Sequence, residues 1–410
     1  MLSPLPITGD QRLVKDINRK VLLRLLRDDA GISRAALAER SGLTKSTVSL
    51  LAKELIDEGW LAEDDVPVTG LLGRRPTPLR LDGRGLALLG ADLGTDSIRV
   101  VRLSITGKVL EARTVALRDR SPDAACRQLV EMVTAQSTKV ARAGARLLGV
   151  GVGLPGPVDT RSGFVEFAPN IGWRHIELGA RLAHELEGAD LGDVPVYVQN
   201  EADLAAVGEC EFGTRPVDDP LVYVSCSVGV GAGIVLNGSL FTGATGAAGE
   251  IGHTTLHVDG LKCPCGRRGC AEAYVGLKGI ARYAGFLRQG EVDRAGLVDD
   301  LARPRANRTR RAFEAAGDAL GVLLQNVWTT FNPKAIVLGG ETLALGGSHF
   351  LDAATGRLAR YARDVGLPAP PVRVARYAEL ATAAGGAAFA LHALLLPYGH
   401  RVSALRIVPR

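Results

Sequence analysis

From Leu86 onward the chain alternates apolar runs of strand length with glycine-bounded turns and stretches of helical periodicity, and that rhythm leaves few folds open. The segments "LALLGADLGTDSIRVVRLSITGKVL", "RLLGVGVGLPGPVD", "VPVYVQNEADLAAVGE", "LVYVSCSVGVGAGIVLNGSLF" and "PKAIVLGGE" all read as strand material. Strands interleaved with helices bury their apolar faces under those helices, so the body is α/β. The strand-rich segments fall into two halves, near Ala87–Val198 and Asp219–Leu380, which predicts two lobes with a cleft between them. We place the first lobe at residues 86–198 and the second at 199–380. The alanine-rich helix at 381–396 is returned to the first lobe. No short-period repeat or low-complexity tract interrupts the pattern.

At 410 residues, with 46% hydrophobic and 23% charged, the chain is globular and has material for two or three domains. It carries no uninterrupted run of about twenty apolar residues, and "MLSPLPITGDQRLVKDINRK" lacks the apolar segment of a secretory signal. A cytoplasmic location without a membrane partner is therefore expected. A net charge of +5 neither establishes nor excludes a nucleic-acid partner, so local arrangement has to decide.

Residues 1–85 read as a separate module. Val14, Ile17, Val21, Leu22 and Leu25 recur at helical spacing and predict a first helix closed by "RDDAG". Ser33 is a candidate cap for a second helix through "RAALAERSG", and Thr44 for a third, with Val48, Leu51 and Leu55 turned inward. The break "SGL" has the length and composition of a helix-turn-helix turn. Lys45, Ser46, Thr47, Ser49 and Lys53 of the third helix are hydrogen-bonders and cations suited to a major groove. A helical bundle with a solvated polar face would show the same three helices. The following segment favours DNA: "GWLAEDDVPVTGLLGRRPTPLRL" reads as two strands of a wing with Arg74 and Arg75 at its tip, a pair suited to a narrow minor groove.

The stretch "HTTLHVDGLKCPCGRRGCAE", His253–Glu272, places three of the six cysteines behind a histidine. By itself it is compatible with a DNA-reading finger, a redox switch, a catalytic metal site or a structural one. Cys126, Cys210 and Cys226 read as small buried hydrophobes of a reducing compartment.

The order of "ADLGTDS", "GLPGPVD", "APNIGW", "VQNEADLAAVGE", "GVGAGIVLNG", "AGEIGH" and "CPCGRRGCAE", behind a winged helix, closely resembles the ROK family of repressors and sugar kinases. The resemblance covers nearly the whole chain and implies a two-lobed sugar-kinase-like body of the actin/hexokinase type. It assigns His253, Cys263, Cys265 and Cys270 to a zinc site. One imidazole and three thiolates fill a tetrahedral sphere and leave no open position, so this Zn2+ is structural. The resemblance also implies a sugar pocket of Asn170, Asn200, Glu201, Glu250, His253 and Glu272, with the histidine facing zinc through one ring nitrogen and the ligand through the other.

Three positions depart from the family's kinases. Asp96 stands where a phosphate-loop threonine belongs, Ser227 and Val228 replace a Gly-Thr pair, and Glu201 replaces the catalytic aspartate of an Asn-Asp pair. A carboxylate beside phosphate is repulsive, and one extra methylene misplaces a general base. No catalytic residue is expected, and the chain is read as a sugar-responsive regulator rather than an active sugar kinase. A binding module with a protein effector is a third reading. As a regulator it is expected to act as a homodimer or homotetramer on a roughly palindromic double-stranded operator, with a monosaccharide or sugar derivative as effector.

Overall fold

The structure, a computed structural model, describes residues 10–64, 77–168, 170–187, 189, 191, 193–213, 217–286, 298, 301, 306–396 and 404–405. Three helices open the chain, each started by a side-chain oxygen that accepts from an otherwise unpaired N–H. Asp10 caps α1 (Gln11–Asp28), Ser33 caps α2 (Arg34–Ser41) and Thr44 caps α3 (Lys45–Asp57). Gly42, at φ 71°, turns α2 into α3. Strands β1 (Ile32–Ser33), β2 (Leu61–Glu63) and β3 (Pro78–Leu81) form an antiparallel sheet in the order β1-β3-β2, completing a winged helix-turn-helix. Arg74 and Arg75 lie outside the described residues.

Of the five apolar residues whose spacing marks α1, Leu22 alone is fully buried. Leu22, Leu23 and Leu26 are buried, whereas Val14 and Val21 are 51% and 36% exposed. The reason is what covers the helix. Those leucines share one apolar cluster with Leu51 and Leu55 of α3, and also with Leu86, Leu88, Val101 and Leu103 of the body.

The body begins with β4 (Leu86–Leu93), β5 (Ser97–Ser104) and β6 (Val109–Ala116), followed by α4 (Pro122–Arg142) and β7 (Arg146–Leu154). A small antiparallel sheet comes next, from β8 (Val158–Asp159), β9 (Phe164–Ala168) and β10 (Trp173–Glu177). Then follow α5 (Leu178–Glu187), β11 (Val196–Asn200) and α6 (Glu201–Phe212). The first large sheet has the order β11-β7-β4-β5-β6, with β11, β7 and β4 parallel and β5 and β6 antiparallel to their neighbours.

The second lobe repeats this plan. It contains β12 (Leu221–Cys226), β13 (Val230–Leu236), β14 (Ser239–Leu240), α7 (Glu272–Val275), α8 (Leu277–Tyr283), α9 (Ala306–Phe331), β15 (Ala335–Gly339), α10 (Glu341–Val365) and β16 (Val372–Val374). Its sheet runs β16-β15-β12-β13-β14, again parallel on one side and antiparallel on the other. Both sheets therefore place strand-to-helix turns along the cleft, where ligands of α/β folds collect.

The chain closes with α11 (Ala381–Leu395), which lies on the first sheet and on α6. A Cβ on Gly90 would fall 1.8 Å from the Ala383 carbonyl oxygen, and one on Gly385 would fall 2.1 Å from that of Leu204. These backbones touch because side chains are missing between them. Among the described residues, Ala378–Leu395 is the one helical stretch long and apolar enough to cross a membrane, and most of it is buried inside the protein.

One charged cluster joins the modules. Glu211, at the end of α6, is 4% exposed and accepts from Arg27 of α1 and from His392 Nδ1 of α11, the latter at 2.7 Å. Burial alone would raise this carboxyl, but the His392 hydrogen bond and the Arg27 charge outweigh it and bring it down to about 2. A depressed carboxyl stabilises the fold above its unfolded value, near 4.5, and that contribution is lost as pH falls through about 2. Glu211→Gln should therefore destabilise the protein by roughly 3 kcal/mol at neutral pH. In urea unfolding the deficit against wild type should shrink steadily from about pH 4.5 downward. An equal deficit at pH 7 and pH 3 would contradict this account.

Candidate functional site

His253 ends a short 3-10 turn, Ile251–His253, and Cys263, Cys265 and Cys270 belong to a knuckle fastened by the bridges Thr255 to Cys270 and Lys262 to Arg268. Gly269 makes the tight return possible: its φ is 76°, and a Cβ there would lie 1.7 Å from the His257 carbonyl oxygen. The four ligand atoms lie within 4.8 Å of one another, with Cys265 Sγ 3.7 Å from Cys270 Sγ and Cys263 Sγ 3.7 Å from His253 Nδ1. Sulfurs at tetrahedral corners about 2.3 Å from zinc are separated by about 3.8 Å, so the donor set fits that ion. His257 lies against Tyr274 with the rings tilted by 55° and 4.8 Å between centroids, and is not part of the cluster.

The other face of His253 opens on a cavity of about 320 Å³ between the lobes. Asn170, Asn200, Glu201, Glu250, His253 and Glu272 all line it, beside the Pro155–Gly156 backbone and Arg267. Glu250 Oε2 lies 3.8 Å from His253 Nε2. Burial raises the Glu250 carboxyl, with the His253 ring opposing and the Glu272 charge reinforcing the rise. Glu272, at the start of α7, accepts from Val230 N at 3.1 Å. Asn200 has a structural task as well: its Oδ1 accepts from Ala202 N and Asp203 N at the start of α6, while Nδ2 donates to the Gly156 carbonyl at 3.0 Å. A Cβ on Gly229 would lie 3.1 Å from both Asn170 Nδ2 and Glu272 Oε2, so these two side chains close tightly over that glycine.

A second chamber, of about 520 Å³, adjoins the first and shares Pro155, Asn170, Glu201 and Gly229 with it. Its charged lining is Asp92, Asp96, Glu201, Glu341 and Glu379 against a single guanidinium, Arg99. That guanidinium donates to Asp92 at 3.1 Å. Ser227 Oγ is engaged by Glu341 N at 3.1 Å.

Residues 88–393 match the ROK family, and residues 15–62 match a winged helix-turn-helix DNA-binding family. The chain belongs to the ROK family. It is 33% identical over 330 residues to the xylose repressor of Bacillus subtilis (strain 168), covering 80% of this chain and 83% of that one. In three dimensions the ROK chain resembles a ROK family transcriptional regulator described as a homolog of the E. coli MLC protein. The TM-score is 0.72 at 24% identity, over 93% of this chain and 97% of the other. It also resembles a ROK family glucokinase from Streptomyces griseus, solved with glucose and AMPPNP, with a TM-score of 0.61 at 28% identity over 74% of this chain and 98% of that one.

On the winged helix of this ROK protein, Lys45, Ser46, Ser49 and Lys53 are exposed on α3, as a groove-facing surface requires. Thr47 is half-buried, and its hydroxyl lies 2.8 Å from that of Thr44, so it supports the cap. Leu50, 59% exposed beside Ser46, Ser49 and Lys53, was not singled out by the sequence. An exposed leucine on a polar helix face is the only signal that would have marked it.

Two further residues escape sequence reasoning. Arg267 lines the cavity from within the knuckle. Asp203, 2% exposed behind the cavity wall, has an Oδ1 with no hydrogen-bond partner, and burial together with the Glu250 charge raises its carboxyl well above the usual range.

For the knuckle, the protein as purified should contain about one equivalent of zinc by elemental analysis. Cys265→Ser or a strong chelator should remove it and lower the unfolding temperature of the second lobe first. Full metal content in the Cys265→Ser variant would exclude this ligand set.

Proposed function

We propose that this protein is a sugar-responsive, DNA-binding transcription regulator, a cytoplasmic repressor of carbohydrate uptake or catabolism genes. The observation that carries the proposal is one polar cavity, walled by three carboxylates, two amides and a histidine, on the same chain as a winged helix-turn-helix. Carboxylates and amides accept and donate to vicinal hydroxyls, and a cavity of about 320 Å³ is at the small end of ligand sites, as a monosaccharide requires. In this reading Asn170, Asn200, Glu201, Glu250, His253 and Glu272 bind the sugar. The zinc held by His253, Cys263, Cys265 and Cys270 fixes the imidazole plane, so that Nε2 and Glu250 meet the ligand without reorganisation.

The adjoining chamber supports a regulator over a kinase. Five carboxylates facing one already paired arginine form a poor cradle for a triphosphate, whose charge needs cations and free N–H donors. Xylose repressors among its relatives favour the same reading and put D-xylose among the first sugars to test.

On DNA, Lys45, Ser46, Ser49 and Lys53 would face the major groove, with Thr47 holding the helix start beneath them and Leu50 placed to touch a thymine methyl group. Arg74 and Arg75 would enter the flanking minor groove. Two-fold pairing of chains, as dimer or tetramer, would set two such modules on a roughly palindromic site.

D-Xylose, D-glucose and N-acetylglucosamine are the first probes in a thermal-shift series, where a ligand at a hundred times its Kd adds about 2.7 kcal/mol. Glu250→Gln should remove the shift and leave operator affinity intact. If both are lost, the side chain is structural. Sugar-dependent ATP turnover by the full chain would replace the regulator with a kinase. In the DNA module, Lys53→Ala should lower the slope of log K against log salt by about one, and unchanged salt dependence would remove Lys53 from the interface.

A further inference from the structure

The effector cavity and the DNA-binding module are connected by a single straight element. α6 starts in the cavity wall, where Asn200 caps it and Glu201 lines the cavity, and it ends at Glu211 beneath α1. Its 12 residues span about 18 Å. From Ala202 to Phe212 only Glu209 is not buried, so the helix has little room to bend or slide independently of its neighbours.

Each end is fixed to a different part of the molecule. At the cavity, a Cβ on Gly233 of β13 would lie 2.3 Å from the Ala202 carbonyl oxygen, so the first turn of α6 moves with the second-lobe sheet. Along its length α6 lies on α11, with a Cβ on Gly208 only 3.1 Å from Gly385 Cα. At the far end, Glu211 accepts from Arg27 of α1 on one oxygen and from His392 of α11 on the other. A buried carboxylate shared between an arginine of α1 and a histidine of α11 tolerates little displacement, because a lost partner leaves an uncompensated buried charge.

We infer that α6 transmits effector occupancy from the cavity to the DNA-binding module, with Glu211 as the positioning residue at its far end and Arg27 as its counterpart on α1. The inference rests on reading the cavity as an effector site. Lobe movement around a bound sugar shifts the first turn of α6. The helix carries that shift to Glu211, and α1 follows through Arg27, which reorients α3 relative to the body. No contact between sugar and DNA module is needed, only two arrangements that the sugar favours unequally.

The test uses the full chain and a duplex that the chain itself selects from a randomised library. Operator Kd is measured with and without saturating sugar, taking the sugar among D-xylose, D-glucose and N-acetylglucosamine that stabilises wild type most. Wild type should show a change on the order of 5- to 150-fold. Glu211→Gln and Arg27→Met should each bring the ratio to within twofold of one, with sugar Kd changed by less than about threefold. The double variant should add nothing further, and Arg27→Lys should restore part of the ratio.

A wild-type ratio in both single variants overturns the inference and leaves the effector reading standing. Absence of any sugar response in wild type overturns both. Should Glu211→Gln fail to fold, Arg27→Met decides alone, because its side chain is partly exposed at the domain boundary. An unchanged ratio there refutes the link.

Discussion

Where α11 lies on the first sheet and on α6, backbone packs directly on backbone. At Gly90, Gly151, Gly385 and Gly386 a Cβ would collide with a carbonyl or amide of the facing element. Packing of this kind has few alternative registers, since interiors at crystal-like density accept no sliding without opening voids. It fixes α6 relative to the sheet, and α6 in turn fixes the cavity at one end and the seat of α1 at the other. The apolar cluster that buries Leu22, Leu23 and Leu26 of α1 also contains Phe389 and Leu391 of α11. The winged helix therefore sits on the same support as the sensing body.

This arrangement explains what the sequence made legible. Ser33 and Thr44 were readable as caps because an N-cap is a local decision between one side chain and the N–H groups next to it. The α/β rhythm was readable because strand length and glycine placement are local too. The inward face of α1 was not legible, for the opposite reason. Two apolar stripes satisfy helical spacing there, and the choice between them is made by Leu86 and Leu88, more than fifty residues away. Glu211 was invisible: its partners Arg27 and His392 are 184 and 181 residues distant, and nothing in "GECEF" marks a buried charge.

The residues proposed to face the sugar came from family resemblance rather than spacing. Asn170 and Glu272 are brought to one cavity by strands and turns that no local pattern relates, and Asn200 acts first as a helix cap. The knuckle differs, since three of its four donors lie within eight residues and their chemistry already restricts what can bind. Its geometry removes the alternative that a cysteine cluster in a DNA-binding protein first suggests. Cys263 and Cys270 are buried beside the cavity in the second lobe, whereas the exposed groove-facing side chains are on α3.

The two chambers show how one fold can serve both chemistry and sensing. They share Asn170, Glu201 and Gly229, so part of their wall is common to both. In a kinase such a wall is used to gather phosphate around a base. Here, among the described residues, the second chamber carries the carboxylates of Asp96, Glu341 and Glu379. At Gly229 the lobes come close, since a Cβ there would lie 3.1 Å from the Asn170 amide nitrogen. The first turn of α6 begins in the same wall, at Glu201. A sugar-kinase-like fold with this shared wall thus has, in its cavity and in α6, the parts that a sugar-responsive regulator needs.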